Sequence, residues 1–113
     1  MTNDILLEKV IKYCELSFPK PTQDDPEDVR KQKMNKYNCV YTLTNLFMDF
    51  PEVDIRDVLL EMISNIVTYK NSNATKCDYY GISIEDCDDY LKTLVTVSRF
   101  IRSLEYKEKN ENE

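Results

Sequence analysis

The apolar residues that follow Asp54 recur at helical spacing, and this pattern constrains the fold more than any other feature of the chain. They are Ile55, Val58, Leu59, Met62, Ile63, Ile66 and Val67. Positions three and four residues apart lie on one side of an α-helix, so the pattern predicts an amphipathic helix from Asp54 to about Tyr69 or Lys70. Because its apolar stripe must be buried, other elements have to pack against it.

Three other segments share this periodicity and supply those elements. We expect helices over residues 4–16, 26–50 and 84–106. Thr2 or Asn3, then Asp25 and Ser83, precede the three segments as N-caps. No segment alternates with the period of two that a half-buried strand requires. The sequence therefore predicts an all-α fold, a single compact bundle of four main helices with no sheet, and it leaves room for a short fifth element near residues 77–81.

The length of 113 residues allows one domain. We expect residues 1–106 to form this helical domain and residues 107–113, which are almost all charged or amide side chains, to form a flexible tail. A chain of this size can bury a core that needs no disulfide or metal to fold.

The net charge of −6 argues against a nucleic-acid partner and against an anionic membrane surface, because both need clustered lysine and arginine. The first residues lack the apolar run of a signal peptide, and no window approaches the ~20 apolar residues of a membrane span. We therefore expect the protein in the cytosol or nucleus.

The four cysteines, Cys14, Cys39, Cys77 and Cys87, are widely spaced. Without a secretory signal we expect reduced thiols, and Cys14 and Cys39 lie in helical patterns that predict small core residues. A zinc site made of all four thiolates remains an alternative, although the chain has no histidine and no pair with the C-x-x-C spacing.

Catalytic signatures are missing from the sequence. With no histidine, the usual proton carrier at neutral pH is absent, and there is no glycine-rich nucleotide loop. The acidic run at residues 85–89 is interpreted as electrostatic stabilisation of a helix start; a divalent metal site and a partner-facing acidic patch are the alternatives. We expect no enzyme activity, no cofactor and no bound metal.

A basic run lies at the polar start of the second helix. Its members are Arg30, Lys31, Lys33 and Lys36. We interpret the run as a solvated face that pairs with acidic side chains, and contact with an acidic partner or a phosphate is the alternative.

Two aromatic groups are the candidate partner-binding residues. Tyrosine and phenylalanine give large contact area at low entropic cost and occur often in binding surfaces. One group surrounds the loop before the last helix, and the other lies in the apolar half of the second helix, residues 37–50, which we expect to be deeply buried and central. The candidates are Tyr79, Tyr80, Tyr90, Phe47 and Phe50. The alternative for the three tyrosines is that one or two of them pack over the end of the bundle.

Short stretches resemble two families of the ubiquitin pathway. The stretch LFMDFPEVDIRDVL, residues 46–59, resembles the Phe-Pro start of a ubiquitin-binding CUE domain. The stretches LEKVIKYCE, residues 7–15, and DIRDVLL, residues 54–60, are similar to the helical half of the Skp/elongin C adaptors. The second resemblance implies an adaptor of ubiquitin ligases, although the strand-forming half of that family has no counterpart here.

These observations favour a non-enzymatic protein-interaction module, a small acidic adaptor, regulator or inhibitor whose partner is another protein. Abundant Asn, Lys, Ile, Asp and Tyr with one Gly and one Ala is typical of an AT-rich genome, and a viral or phage origin would favour an antagonist of a host factor. The alternative is a structural subunit that buries its surplus apolar surface in an obligate oligomer, including a homodimer.

Overall fold

The structure, a computed structural model, describes residues 1–72 and 81–111. Within these residues the chain forms helices and no strand, which confirms the predicted all-α bundle. The helices are α1 (Asn3–Ser17), α2 (Glu27–Asp49), α3 (Ile55–Asn71) and α4 (Cys87–Glu111), and a 3-10 turn at Ile84–Asp86 precedes α4. Most of the segment expected to form a short fifth element, residues 77–80, lies outside the described residues.

Thr2 is the N-cap of α1, as one of the two predicted alternatives, and Asp54, where the third helix was expected to begin, is the N-cap of α3. The Thr2 hydroxyl accepts a hydrogen bond from the backbone of Ile5 at the start of α1, at 3.4 Å. The Asp54 carboxylate accepts one from the backbone of Arg56 at the start of α3, at 2.8 Å. Each cap satisfies a backbone N–H that the helix itself leaves without a partner.

The start of α2 differs from the prediction by one residue, and Asp25 is not its cap. Pro26 occupies the N-cap position with an extended backbone, and no side chain caps the helix. The Asp25 carboxylate accepts hydrogen bonds instead from the Thr22 backbone and from the Lys33 ammonium, both at 2.9 Å. The carboxylate therefore joins the segment between α1 and α2, through Thr22, to the side chain of Lys33 on α2.

The last helix also has different ends from those predicted. Ser83 does not cap it, because its hydroxyl donates to the Asp86 carboxylate at 2.8 Å and the 3-10 turn intervenes. At the other end α4 continues to Glu111, beyond the expected end at Tyr106. Lysine and glutamate are good helix formers, and the N-terminal ammonium of the chain pairs with Glu108 at 2.7 Å. Much of the expected tail is therefore helical.

The core lies between α4 and the other three helices, each of which packs against α4. This position was expected for the second half of α2. Helix α4 takes it because residues spaced by three and four run along most of its length on one buried side. They are Cys87, Tyr90, Leu94, Val97 and Ile101.

Three cysteines contribute to this core, as predicted for Cys14 and Cys39; the third is Cys87. Their thiols are not joined by disulfides. Cys77 lies outside the described residues.

Candidate protein-binding surface

Helix α2 has apolar residues on two opposite sides. One side faces the core through Cys39, Val40, Leu43 and Phe47. The other side carries a second apolar row that points away from α3 and α4, and we call this row the α2 outer face. It consists of Met34, Tyr37, Tyr41 and Met48. At 100° per residue these four fall within a sector of about 60° on the helix.

The α2 outer face is largely accessible in the part of the chain that the structure describes. Tyr41 and Met48 are each 60% exposed, Met34 is exposed at the N-terminal end, and Tyr37 is half-buried. The rings of Tyr37 and Tyr41 stack with their centroids 6.4 Å apart. Because stacking limits the rotamers of both rings, less side-chain entropy remains to be lost when a partner binds.

The sequence explains why this row stays uncovered. The apolar half of α2, residues 37–50, has more hydrophobic residues than one buried side of the helix can hold, as expected from the sequence. The side that carries Phe47 and Leu43 is the wider of the two, and it is the side that packs against α4. The surplus falls on the opposite side.

The α2 outer face lies in a stretch of sequence whose charge is opposite to that of the whole chain. Between Asp28 and Asp49 the sequence has no acidic residue, while the net charge of the chain is −6. The basic residues in this interval are Arg30, Lys31, Lys33 and Lys36. Lys20 adds a further cation, with its Nζ atom 6.0 Å from the centre of the Tyr37 ring.

Contacts of the basic run confirm that two of its four members pair with acidic side chains. Lys33 pairs with Asp25 at 2.9 Å, and Lys31 lies 3.9 Å from Asp86. The Arg30 guanidinium donates to the backbone carbonyl oxygens of Gln23 and Asp25. Neutral carbonyls do not cancel its charge, so Arg30 keeps a positive charge beside Met34, with which it lines a shallow cleft.

Two of the residues predicted to bind a partner lie in the core. Tyr90 is 6% exposed and Phe47 is 3% exposed, so neither offers area to a partner in this conformation. The Tyr90 carbonyl oxygen accepts a hydrogen bond from the Cys39 thiol at 3.6 Å, and burial raises the pKa of the Tyr90 hydroxyl to about 12. Tyr79 and Tyr80 lie outside the described residues.

Among the described members of the predicted set, Phe50 is the exposed one, at 47%. It lines a cleft of about 490 Å³ between the C-terminal end of α2 and α3, together with Leu46, Val53, Val58 and Met62. Phe50 is therefore on the surface, whereas Phe47 and Tyr90 are in the core. Sequence reasoning missed the outer face itself, although the seven-residue spacing of Met34, Tyr41 and Met48 was a visible signal.

Other exposed apolar residues lie on the outside of α3 and α4. Leu60 lines a cleft of about 230 Å³ between these helices, and Val67 and Val95 are exposed farther along them. Ion pairs of Arg56 with Glu105 and of Lys70 with Asp88 join α3 to α4. Leucine and valine are under-represented in binding hot spots, whereas tyrosine and methionine are enriched at interfaces. The α2 outer face is therefore the better candidate for a binding surface.

The acidic residues at the start of α4 hold the helices together. The Asn35 amide nitrogen, buried on α2, donates to the carboxylates of both Asp86 and Asp89 at 3.0 Å. Asp88 pairs with Lys70 of α3, and this hydrogen bond lowers the pKa of the Asp88 carboxyl. In residues 1–72 and 81–111, no group of three or more metal-ligating side chains converges.

Among the described helices, none is both long and apolar enough to cross a membrane. Comparison of the chain with models of protein families, with curated proteins and with solved structures finds no match. The two short resemblances to ubiquitin-pathway families thus do not extend to a family match.

Proposed function

We propose that this protein is a non-enzymatic interaction module, an adaptor, regulator or inhibitor in the cytosol or nucleus, that binds an amphipathic helix of another protein through the α2 outer face. The observation that carries the proposal is the exposed row of tyrosine and methionine on the side of α2 opposite the core. Such residues are costly to expose and are enriched at interfaces.

The spacing of the row supports a helical partner. Met34, Tyr41 and Met48 follow one another at intervals of seven residues. A seven-residue repeat lets two helices stay in contact over several turns, because a small supercoil compensates the drift of about 20° per heptad. A partner helix with apolar residues at heptad spacing therefore fits along the whole row.

Charge supports an acidic flank on that partner helix. The N-terminal half of α2 carries Arg30 and Lys31 beside the apolar row. Opposite charges at the edge of an interface steer association and select the orientation of the partner. Glutamate or aspartate beside the heptad positions would meet these two side chains.

The size of the surface suggests reversible binding. One exposed helix face offers less than the ~800 Å² per partner of a standard interface, which places the expected Kd on the order of micromolar. Binding of this strength suits a regulator or inhibitor. A viral or phage origin would make such a module an antagonist of a host factor.

The states of the thiols support the non-enzymatic part of the proposal. Burial raises the pKa of the Cys14 thiol to about 11 and also raises the pKa of Cys39. A nucleophilic cysteine needs the opposite shift, because the thiolate is the reactive form. Both residues fit a structural role.

Binding of a synthetic helical peptide tests the proposal. The peptide has apolar residues at the first and fourth positions of each heptad and glutamate beside them, and a matched peptide has lysine in place of glutamate. Fluorescence anisotropy should give a Kd on the order of 1–100 µM for the acidic peptide and binding about tenfold weaker for the basic one. Added salt should reduce this difference.

Matched variants locate the binding surface. Tyr41→Glu places a charge in the centre of the row and should weaken peptide binding by about tenfold or more. Tyr106→Glu is the matched control. It changes a tyrosine on α4 that is as exposed as Tyr41, and it should leave the Kd unchanged. Circular dichroism and melting curves check that both variants fold. Absence of acidic-peptide binding by the parent protein, or equal Kd values for both variants, would overturn the proposal.

A further inference from the structure

We propose that the α2 outer face also pairs with the α2 outer face of a second copy, in an antiparallel arrangement with Tyr41 on the two-fold axis. This inference rests on the proposed function, because it uses the same surface and names a partner for it. A two-fold interface requires a surface that is complementary to itself. The α2 outer face meets this requirement in both its apolar residues and its charges.

The apolar residues are arranged symmetrically about Tyr41. Met34 precedes Tyr41 by seven residues and Met48 follows it by seven. When two copies of α2 lie antiparallel with Tyr41 at the centre, Met34 lies level with the partner's Met48. Both thioether side chains are flexible and polarisable, so they can adapt to each other and to the tyrosine rings between them.

The two ends of the row carry opposite charges, whereas their apolar residues are alike. Lys31 lies near the N-terminal end of the row, where its side chain is 63% exposed and its Nζ atom is 3.9 Å from Asp86, and Asp49 is exposed at the C-terminal end. An exposed ion pair at this distance is weak, so Lys31 can also meet a second carboxylate. Lys31 and Asp49 are 18 residues apart (49 − 31 = 18), which is five full helical turns at 3.6 residues per turn, so they lie on the same side of α2. In an antiparallel pair, Lys31 then lies beside the partner's Asp49, and the second contact repeats it.

The same charges favour the antiparallel over the parallel arrangement. In a parallel two-fold pair, Lys31 and Asp49 lie at opposite ends of the row and their counterparts lie on the other flank of the interface, so neither Lys31 meets an Asp49 of the second copy. The two helix dipoles would also point the same way. The antiparallel arrangement supplies two attractions that the parallel one lacks.

Self-pairing has a consequence for the proposed function. A dimer of this kind covers Tyr41 and Met48, which are the residues that a partner helix would contact. The dimer and the complex therefore exclude each other, and the monomer is the binding-competent form. With one helix contributed by each copy, the expected dimer Kd is on the order of 10–100 µM.

Sedimentation equilibrium of the full chain tests this inference. Over a range from about 5 to 500 µM the mass should rise from monomer toward dimer. Lys31→Glu and Asp49→Lys should each weaken the dimer by about tenfold, since each creates two like-charge contacts. An equimolar mixture of the two variants should form a heterodimer nearly as strong as the parent dimer, because both contacts again join opposite charges.

The mixture also serves as the control for folding, because two misfolded variants could not restore a dimer. A parent protein that stays monomeric throughout this range overturns the inference. A dimer that persists in both single variants, or a mixture that stays monomeric, overturns the antiparallel geometry. If the protein stays monomeric but binds the acidic peptide, the proposed function stands and the dimer is overturned. If the protein dimerises as described but never binds the peptide, the dimer stands and the proposed function is overturned.

Discussion

Among single residues, Tyr41 is the one on which the proposed binding depends most. It is exposed on a helix that the core holds from its other side, and it stacks on Tyr37. Because the side chain is exposed, its ring offers a large contact area, and a tyrosine side chain has few rotatable bonds to immobilise. A single substitution there therefore tests binding with little effect on the packing of α2.

Cys14 and Cys39 illustrate a different use of a residue. Both thiols are buried in the core between helices, and desolvation is the main cause of their raised pKa values. The Glu15 carboxylate adds to the shift of Cys14, and Cys14 adds to that of Cys39. A thiol with a raised pKa stays protonated and behaves as a small apolar side chain at neutral pH.

These shifts predict that the free energy of unfolding falls as pH rises above about 8.5, the ordinary thiol pKa. The folded state keeps the protons of Cys14 and Cys39, and the unfolded state releases them from that pH upward. The unfolded state then binds fewer protons, so stability is full below pH 8.5 and declines toward pH 11. Urea denaturation at several pH values measures the slope.

A variant with Cys14→Ala and Cys39→Ala supplies the control. It should be less stable at pH 7, because it leaves small cavities, yet its stability should depend less on pH between 8.5 and 10. Equal slopes for the parent and the variant would contradict the account of these thiols.

At the scale of helices, Asn3 is the residue that joins α1 to the start of α3. Its side-chain oxygen accepts a hydrogen bond from the Ile55 backbone at 3.0 Å, and its amide nitrogen donates to the Val53 carbonyl oxygen at 3.1 Å. The side chain thus satisfies a free N–H at a helix start, as an N-cap does, but from another helix.

Replacing Asn3 with alanine should lower the free energy of unfolding by about 1–2 kcal/mol, because the Ile55 N–H and the Val53 carbonyl both lose a partner. For a domain of this size the melting temperature should fall by roughly 5–10 °C. Asn45→Ala, at an exposed position of α2, is the matched control and should be neutral or slightly stabilising, since alanine is the better helix former. Equal melting temperatures for the two variants would show that Asn3 does not join the helices.

The helices themselves could be predicted from the sequence, because apolar periodicity and caps such as Asp54 are local signals. The bond from Asn3 to Ile55 could not, since the two residues are 52 positions apart. Tyr90 is an intermediate case. Its spacing from Cys87 and Leu94 placed it on the buried side of α4, but it was assigned to the neighbouring loop with the other tyrosines.

For the whole molecule, the distribution of charge and apolar surface is the property that local patterns do not reveal. The surplus apolar content of α2 could be predicted, but its location could not. Whether Tyr41 or Phe47 became buried depended on which side of α2 packed against α4. Tertiary packing therefore decided which residues form the candidate binding surface.

The most direct test of the central claim is a map of amide chemical shifts of the folded protein during titration with the acidic heptad peptide, at a protein concentration below the dimer Kd. We expect the changes to concentrate along α2, from Arg30 to Met48, and Tyr41→Glu to abolish them. Changes concentrated around Leu60 and Val95 on α3 and α4, or no changes at all, would contradict binding through the α2 outer face.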